Sequence, residues 1–305
     1  MKKLLLATAA LFLTTTIFCQ VTDAEEKLKT DRTDTLDGWK TGMVINLGFT
    51  QSNFTNWNAG GVDAFSANSM VSAFANYKKG ENAWDNTLDV AYGFINQDGT
   101  FIKTDDRIDF FSTYGRKASE NWYYSALVNF RTQMDEGFSE PDDEEYISRF
   151  MAPGYLLGAV GMTYKANDDF SVFIAPFTSK NTFVNDQRLA DAGAFGVDPG
   201  SRFRTEVGGY VRLFWKKDVM ENIFYTTKLD IFSNYLEKPQ NLDINWENII
   251  SFKINKLISA SLIVHVVYDD DVDIARDTSG DGEIDRVGPT TQYRQVFQIG
   301  INYKL

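Results

Sequence analysis

Three stretches of this 305-residue chain carry side chains whose type and spacing could do chemistry. The run DTSGDGEID sets Asp277, Ser279, Asp281, Glu283 (through its carbonyl) and Asp285 at the odd positions of a calcium loop, with Gly282 at the tight turn. Gly288 stands where a bidentate Glu would close the cage, and the upstream Asp269, Asp270 and Asp271 are the acids able to replace it. The two readings are a Ca2+ site and an ordinary hydrophilic loop. The second stretch, DEGFSEPDDEEYISRF within 135–154, holds Asp135, Glu136, Glu140, Asp142, Asp143, Glu144 and Glu145. These carboxylates suit a hard cation through oxygen ligands, or else form a solvated acidic face. The third is His265 in VHVVY, with Ser259 and Ser261 nearby. A Ser–His nucleophile needs a third, orienting group, and none is marked, so the chain is not expected to be an enzyme. Ala59–Gly61 (AGG) lacks the following lysine of a phosphate-binding loop.

The composition narrows the field. One histidine excludes multi-histidine metal sites, and one cysteine, Cys19, excludes a disulfide framework. A net charge of -12 argues against nucleic acid, which requires a basic face. Lys2 and Lys3 followed by apolar Leu4–Phe18 have the layout of a secretory signal over residues 1–19, too short for a spanning helix. Cleavage between Cys19 and Gln20 is expected. A lipid-modified cysteine normally follows a small residue, whereas Phe18 precedes Cys19. Residues 20–41 are polar and charged and read as a periplasmic extension. Beyond the leader, no stretch approaches the ~20 apolar residues of a transmembrane helix. An exported chain of this kind is either soluble or a closed barrel, since only helices and barrels satisfy every backbone group in lipid.

Periodicity decides between them. From residue 42 onward, apolar and polar residues alternate in long runs, the mark of strands with two unlike faces. Phe203, Thr205, Val207, Val211, Leu213 and Trp215 share one face, with Arg202, Arg204, Glu206 and Arg212 on the other. Phe297, Ile299, Ile301, Tyr303 and Leu305 line one face of the last run. About twelve strands are expected, near 42–57, 65–79, 82–97, 102–118, 121–135, 155–166, 170–184, 201–217, 220–236, 241–255, 258–272 and 291–305. Short turns (KKGEN, KASEN, KANDD) alternate with longer loops, and Tyr77, Trp84, Trp122 and Trp215 lie beside the short turns. This is the asymmetry of outer-membrane barrels, with an aromatic girdle on the periplasmic side. The fold class is therefore all-β: a closed antiparallel up-and-down transmembrane β-barrel over residues 42–305. Charges cost about 2–4 kcal/mol on a lipid face near the midplane, so Arg107, Asp109, Arg131, Arg202, Arg204, Glu206, Arg212, Lys228, Asp230, Glu247 and Lys253 are assigned to the lumen. They would line a narrow channel for small polar solutes, in which Arg202, Arg204 and Arg212 favour anions, or salt-bridge and fill the barrel of a non-conducting structural or binding component.

Longer phrases carry a resemblance. NWNAGGVDAFS, FANYKKGENAWDNTLDVAYG, KTDDRIDFFSTYGRKASENWYYSALVNFRTQ, LADAGAFGVDPG, KLDIFSNYLEKPQNLDINWE, INKLISASL and VYDDDVDI resemble an uncharacterised family of Bacteroidota outer-membrane proteins, domain of unknown function 3078 (DUF3078). The likeness runs from about Gly38 to the C-terminus. It implies an outer-membrane β-barrel, in contact with membrane lipid, of unsettled biochemical role, and no catalytic residue. From the residues themselves, the final amphipathic strand ending in Leu305 has the form that the outer-membrane assembly machinery recognises, and the acidic loop 135–154 is the segment able to join divalent-bridged lipopolysaccharide.

Overall fold

The computed structural model describes residues 37–52, 64–97, 99–138, 144–167, 169–255, 258–272, 274–276, 278–279 and 285–304. The leader, Cys19 and the extension as far as residue 36 lie outside the described residues. Among the described residues fourteen strands follow one another: β1 Gly38–Ser52, β2 Ala64–Lys79, β3 Asn82–Gln97, β4 Thr100–Lys117, β5 Trp122–Thr132, β6 Gly154–Asn167, β7 Phe170–Phe183, β8 Phe203–Met220, β9 Ile223–Asn234, β10 Asp243–Lys253, β11 Ile258–Tyr268, β12 Ile274–Arg276, β13 Arg286–Gly288 and β14 Gln292–Lys304. Twelve of them form one antiparallel up-and-down sheet in which each lies beside its chain neighbour. β12 and β13 pair only with each other, as a small hairpin in the connection between β11 and β14. The order returns on itself: β1 pairs with β2 from Gly38↔Lys78 to Ser52↔Ala64, and with β14 from Val44↔Lys304 to Leu47↔Ile301. Among the described residues, no helix is long and apolar enough to cross a membrane.

The alternation in the sequence becomes two opposed surfaces. On β5, Trp122, Tyr124 and Val128 point outward and are exposed, while Ser125 and Leu127 are buried inside. The same inversion runs round the sheet. Phe101 (65% exposed), Phe177, Val160 and Leu88 stand on the outside, whereas Ser72, Thr178, Glu206, Ser251 and Ser261 are buried within. An apolar exterior around a partly polar interior is unfavourable in water and favourable in lipid.

Aromatic residues gather at two levels of the outer surface. At the short-turn end Trp39 packs on Tyr77 and Trp84 (ring centroids 5.2 and 5.7 Å), Trp122 on Tyr164 (5.2 Å) and Trp215 on Tyr225 (5.9 Å). At the other end Phe94 packs between Phe65 and Phe101 (6.2 and 5.6 Å), and Phe183 meets Phe203 (5.1 Å). Phe65 and Tyr77 are twelve residues apart on β2, as are Phe203 and Trp215 on β8. Twelve residues span ~40 Å of strand, which at the usual barrel tilt becomes a height of ~30 Å, the thickness of a bilayer's hydrocarbon core.

Strand positions agree with the periodicity to within a few residues, with one instructive difference. β1 opens at Gly38, inside the segment read as an extension, because Trp39 finds Tyr77 directly opposite and joins the lower aromatic band. Gly208 has a specific steric duty: a Cβ there would lie 1.9 Å from the Ser233 carbonyl oxygen, so only glycine permits the close approach of β9.

Candidate functional site

The inner face is layered. Midway up, Leu127, Ala159, Phe173, Ala175, Tyr210 and Phe232 form a buried apolar cluster, with Phe111 and Leu157 packed against it. These side chains come from β4 to β9 and face the interior. A polar inner face carrying both signs was expected; over β4–β9 it also buries hydrophobic side chains inward.

The charged candidates pair with neighbours around this cluster. Arg131 Nη2 meets Asp109 Oδ2 at 2.7 Å, directly across the β4–β5 register, and Asn129 Nδ2 donates to the other carboxylate oxygen at 2.6 Å. Arg212 and Asp230 are opposed on β8 and β9 at 3.5 Å. The Tyr210 hydroxyl donates to Asp230 at 2.6 Å, and the Arg212 guanidinium lies 4.5 Å from the Phe111 ring centre. Lys228 and Glu247 oppose each other on β9 and β10 at 3.3 Å. Arg107 is within electrostatic reach of both Asp109 and His265. Lys253 ends β10, exposed at the short-turn side. Arg202 stands ahead of β8 and donates twice to Gln187 Oε1 (2.6 and 3.1 Å), so it belongs to an outer loop rather than to a lumen wall. Arg202, Arg204 and Arg212 therefore form no cluster: each has been drawn to a different partner.

The tightest convergence lies at the loop end and is centred on a residue that the sequence reading passed over. Lys180 Nζ on β7 lies 2.8 Å from Asp243, 3.4 Å from Glu206 and 3.7 Å from Asp269. Beside it, Arg204 Nη2 contacts Asp271 at 2.6 Å, Glu206 at 3.5 Å and Glu237 at 3.7 Å. Glu206, only 3% exposed, joins the two cations. Asp269 and Asp271 follow β11, four places round the ring from β7, so these pairs reach over the mouth of the interior rather than along its wall. Asp243 shares the inward parity of Glu247 on β10. Lys180 was hidden by a bulge between Ala175 and Thr178, which moves the inward positions from odd to even numbers.

At the same end of the sheet two connections fold on each other. A short helix, α1 (Gln187–Asp191), and the turn Ala194–Gly196 pack against the end of the β5–β6 connection. Ala152, Val184, Leu189, Ala190 and Val197 form their buried core, with Tyr146, Ala194 and Phe195 around it. Asp186 caps α1 by accepting from the Leu189 N–H (3.0 Å), and also accepts from the Tyr146 hydroxyl at 2.7 Å and from Arg149 at 3.4 Å. The Tyr146 ring takes the Arg188 guanidinium at 4.6 Å and that of Arg149 at 5.1 Å. Burial raises the Asp186 carboxyl, but the Leu189 amide, the Tyr146 hydroxyl and Arg149 together hold it below the usual carboxylate range. A depressed pKa contributes stability above the unfolded value that is lost as pH falls through the folded one. Protease resistance of this loop crown should therefore drop below about pH 4, the ordinary range of aspartate. Asp186→Ala should lose about 1 kcal/mol of local stability at neutral pH. Limited proteolysis with mapping of cuts in 185–200 checks both; an unchanged cleavage rate in the variant contradicts the capping role.

The metal and nucleophile candidates fare differently. Of the calcium loop, Asp277, Asp281 and Glu283 lie outside the described residues. Asp285 is described, and its carboxylate accepts from both the N–H and the hydroxyl of Thr278, with Ser279 also hydrogen-bonded to it. In the acidic loop, Glu140, Asp142 and Asp143 lie outside the described residues; Asp135 accepts from Tyr92, Glu136 pairs with Arg149 and Glu145 with Arg188. Among the described residues, no three acidic, histidine or cysteine side chains come together as a metal site. His265 faces inward, with Nε2 2.5 Å from Asn245 Oδ1. Ser261 is four residues away on the same strand, about 13 Å, beyond hydrogen-bonding reach.

Together, the antiparallel sheet, its apolar exterior and its two aromatic bands define the class: an all-β up-and-down protein similar to outer-membrane barrels. Residues 49–138 match the family model described as "Protein of unknown function (DUF3078)", so the resemblance read from the sequence holds over that segment. No curated protein matches the chain. Two solved structures are similar in shape. The COG4313 outer membrane channel from Pseudomonas putida F1 is 10% identical, with 89% of this chain and 97% of that one covered at a TM-score of 0.42. The translocator domain of autotransporter NalP from Neisseria meningitidis is 11% identical, with 96% and 100% covered at a TM-score of 0.32.

Proposed function

We propose that the protein is a closed outer-membrane β-barrel that does not conduct, exported through its N-terminal signal and acting as a non-catalytic structural or binding component of the envelope. The observation that carries this reading is contact across the interior. Arg212 on β8 reaches the Phe111 ring on β4 beside the apolar cluster of Phe173, Tyr210 and Phe232, and the Lys180 and Arg204 pairs bridge the outward mouth. Twelve strands enclose far less space than the 16–18 of a wide porin, so long side chains meeting from opposite walls can fill it. What the barrel presents outward is a loop crown with its own apolar core, the arrangement expected of a surface that must hold a shape.

Planar-bilayer recording tests the reading. Purified protein, shown to be folded and inserted by its heat-dependent gel migration, should give no discrete current steps. Reproducible steps from the unmodified protein at moderate voltage would overturn it in favour of a narrow channel for polar solutes.

A further inference from the structure

On β5 the outward column runs Trp122, Tyr124, Ala126, Val128, Phe130, Thr132. Trp122 lies in the lower aromatic band, and Thr132 is ten residues further on, ~33 Å along the strand and ~25 Å in height at the usual tilt, the top of a barrel's apolar band. Thr132 is only 5% exposed despite facing outward. Its hydroxyl donates to the Pro153 carbonyl and accepts from the Met151 N–H, both at 3.0 Å. The end of the β5–β6 connection thus lies over the outer wall at the upper edge of that band, not above the mouth.

This connection has two sides. Tyr146 and Ala152 turn toward the crown's core. Phe138, Ile147 and Phe150 do not; they remain 44, 51 and 53% exposed. Gly137 and Ser148 bridge as a strand pair, which holds Phe138 and Ile147 on adjoining segments, and Arg149 and Ala152 bridge next to Phe150. Three large apolar side chains on a paired and hydrogen-bonded loop cannot collapse onto the crown, and water is an unfavourable environment for them.

We propose that Phe138, Ile147 and Phe150, on the described parts of the β5–β6 connection, enter the outer leaflet around the barrel and form a membrane-contact site. The occupant is lipid because the patch continues a column that itself faces lipid. It rests on the reading of the outer wall as membrane-embedded. The crown is thereby tied to the bilayer on one side and to β8, through Arg204 and the Gly196 carbonyl, on the other.

Single-cysteine variants made in a C19S background, labelled with bimane and reconstituted into phosphatidylcholine nanodiscs with or without brominated acyl chains, test this. F150C reads the loop, Y124C the wall, and S119C the short-turn end outside the membrane. Bromolipid quenching at F150C is expected within about twofold of that at Y124C, with little at S119C. Quenching at Y124C with none at F150C overturns the loop insertion and leaves the barrel reading intact. Absence of quenching at Y124C overturns the barrel reading and the inference with it. I147C reads the same surface where F150C fails to insert, and the same outcomes apply.

Discussion

Lys180→Ala destabilises the barrel by about 3 kcal/mol, at the low end of what is lost when one partner of a buried ion pair is removed. The cause is what remains. Glu206 is 3% exposed, and its two cations are Lys180 and Arg204, the latter shared with Asp271 and Glu237. Without the ammonium, Glu206, Asp243 and Asp269 face one another in a confined space. The Lys180→Ala/Glu206→Gln double variant should recover a good part of the loss, because it removes a stranded charge rather than restoring a bond. Arg116→Ala, which breaks a contact with the equally exposed Glu81, should cost less than about 1 kcal/mol. Urea unfolding in lipid vesicles, followed by tryptophan fluorescence, measures all three. A loss below about 1 kcal/mol for Lys180→Ala would show that water already solvates the mouth.

The second large effect is on the opposite surface. Val128 is 44% exposed, faces outward, and lies six residues from Trp122 near mid-height of the apolar band. Val128→Arg should cost about 2–4 kcal/mol in a membrane, the range for a cation at the bilayer midplane. Val128→Leu should be neutral. An arginine at Tyr124, two residues from Trp122, should cost clearly less, because its side chain can reach the interface. The same unfolding assay separates these cases. Equal stability of Val128→Arg and the parent protein would mean that this wall does not contact lipid.

The strands were legible because one physical rule, alternate side chains on opposite faces, acts locally and repeats. It reads cleanly in β8 and β5, where the two faces differ most. It reads poorly in GYLLGAVGM of β6 and FSVFIAPF of β7, where apolar residues occupy both faces as they do in strands buried on two sides. That was the available sign of apolar side chains on the inner face, and it explains why Leu157, Phe173 and Ala175 were not recognised as inward residues. Lys180 escaped because a bulge resets the parity within its strand; Pro176, which cannot donate to the ladder, stands in that bulge and was the signal available for it. The pairs Arg131–Asp109, Arg212–Asp230 and Lys228–Glu247 were named residue by residue, but their partnership depends on register between strands, which only the folded sheet fixes. The crown was read as separate loops. Its core joins residues near 150 to residues near 190, and such contacts leave no local signature apart from Asp186 standing one place before a helical turn.

That joining has a consequence for anything that approaches the molecule from outside. The crown's shape is made from two chain segments separated by the whole β6–β7 hairpin, and neither can adopt it alone. A phage tail fibre or an antibody selected on the native protein would therefore bind a composite epitope, and synthetic peptides copying 144–153 or 184–202 would fail to compete for it. Sequence drift at the tip of either segment would alter recognition least, while a single change at Leu189 or Tyr146 would erase it without touching the surface that is bound.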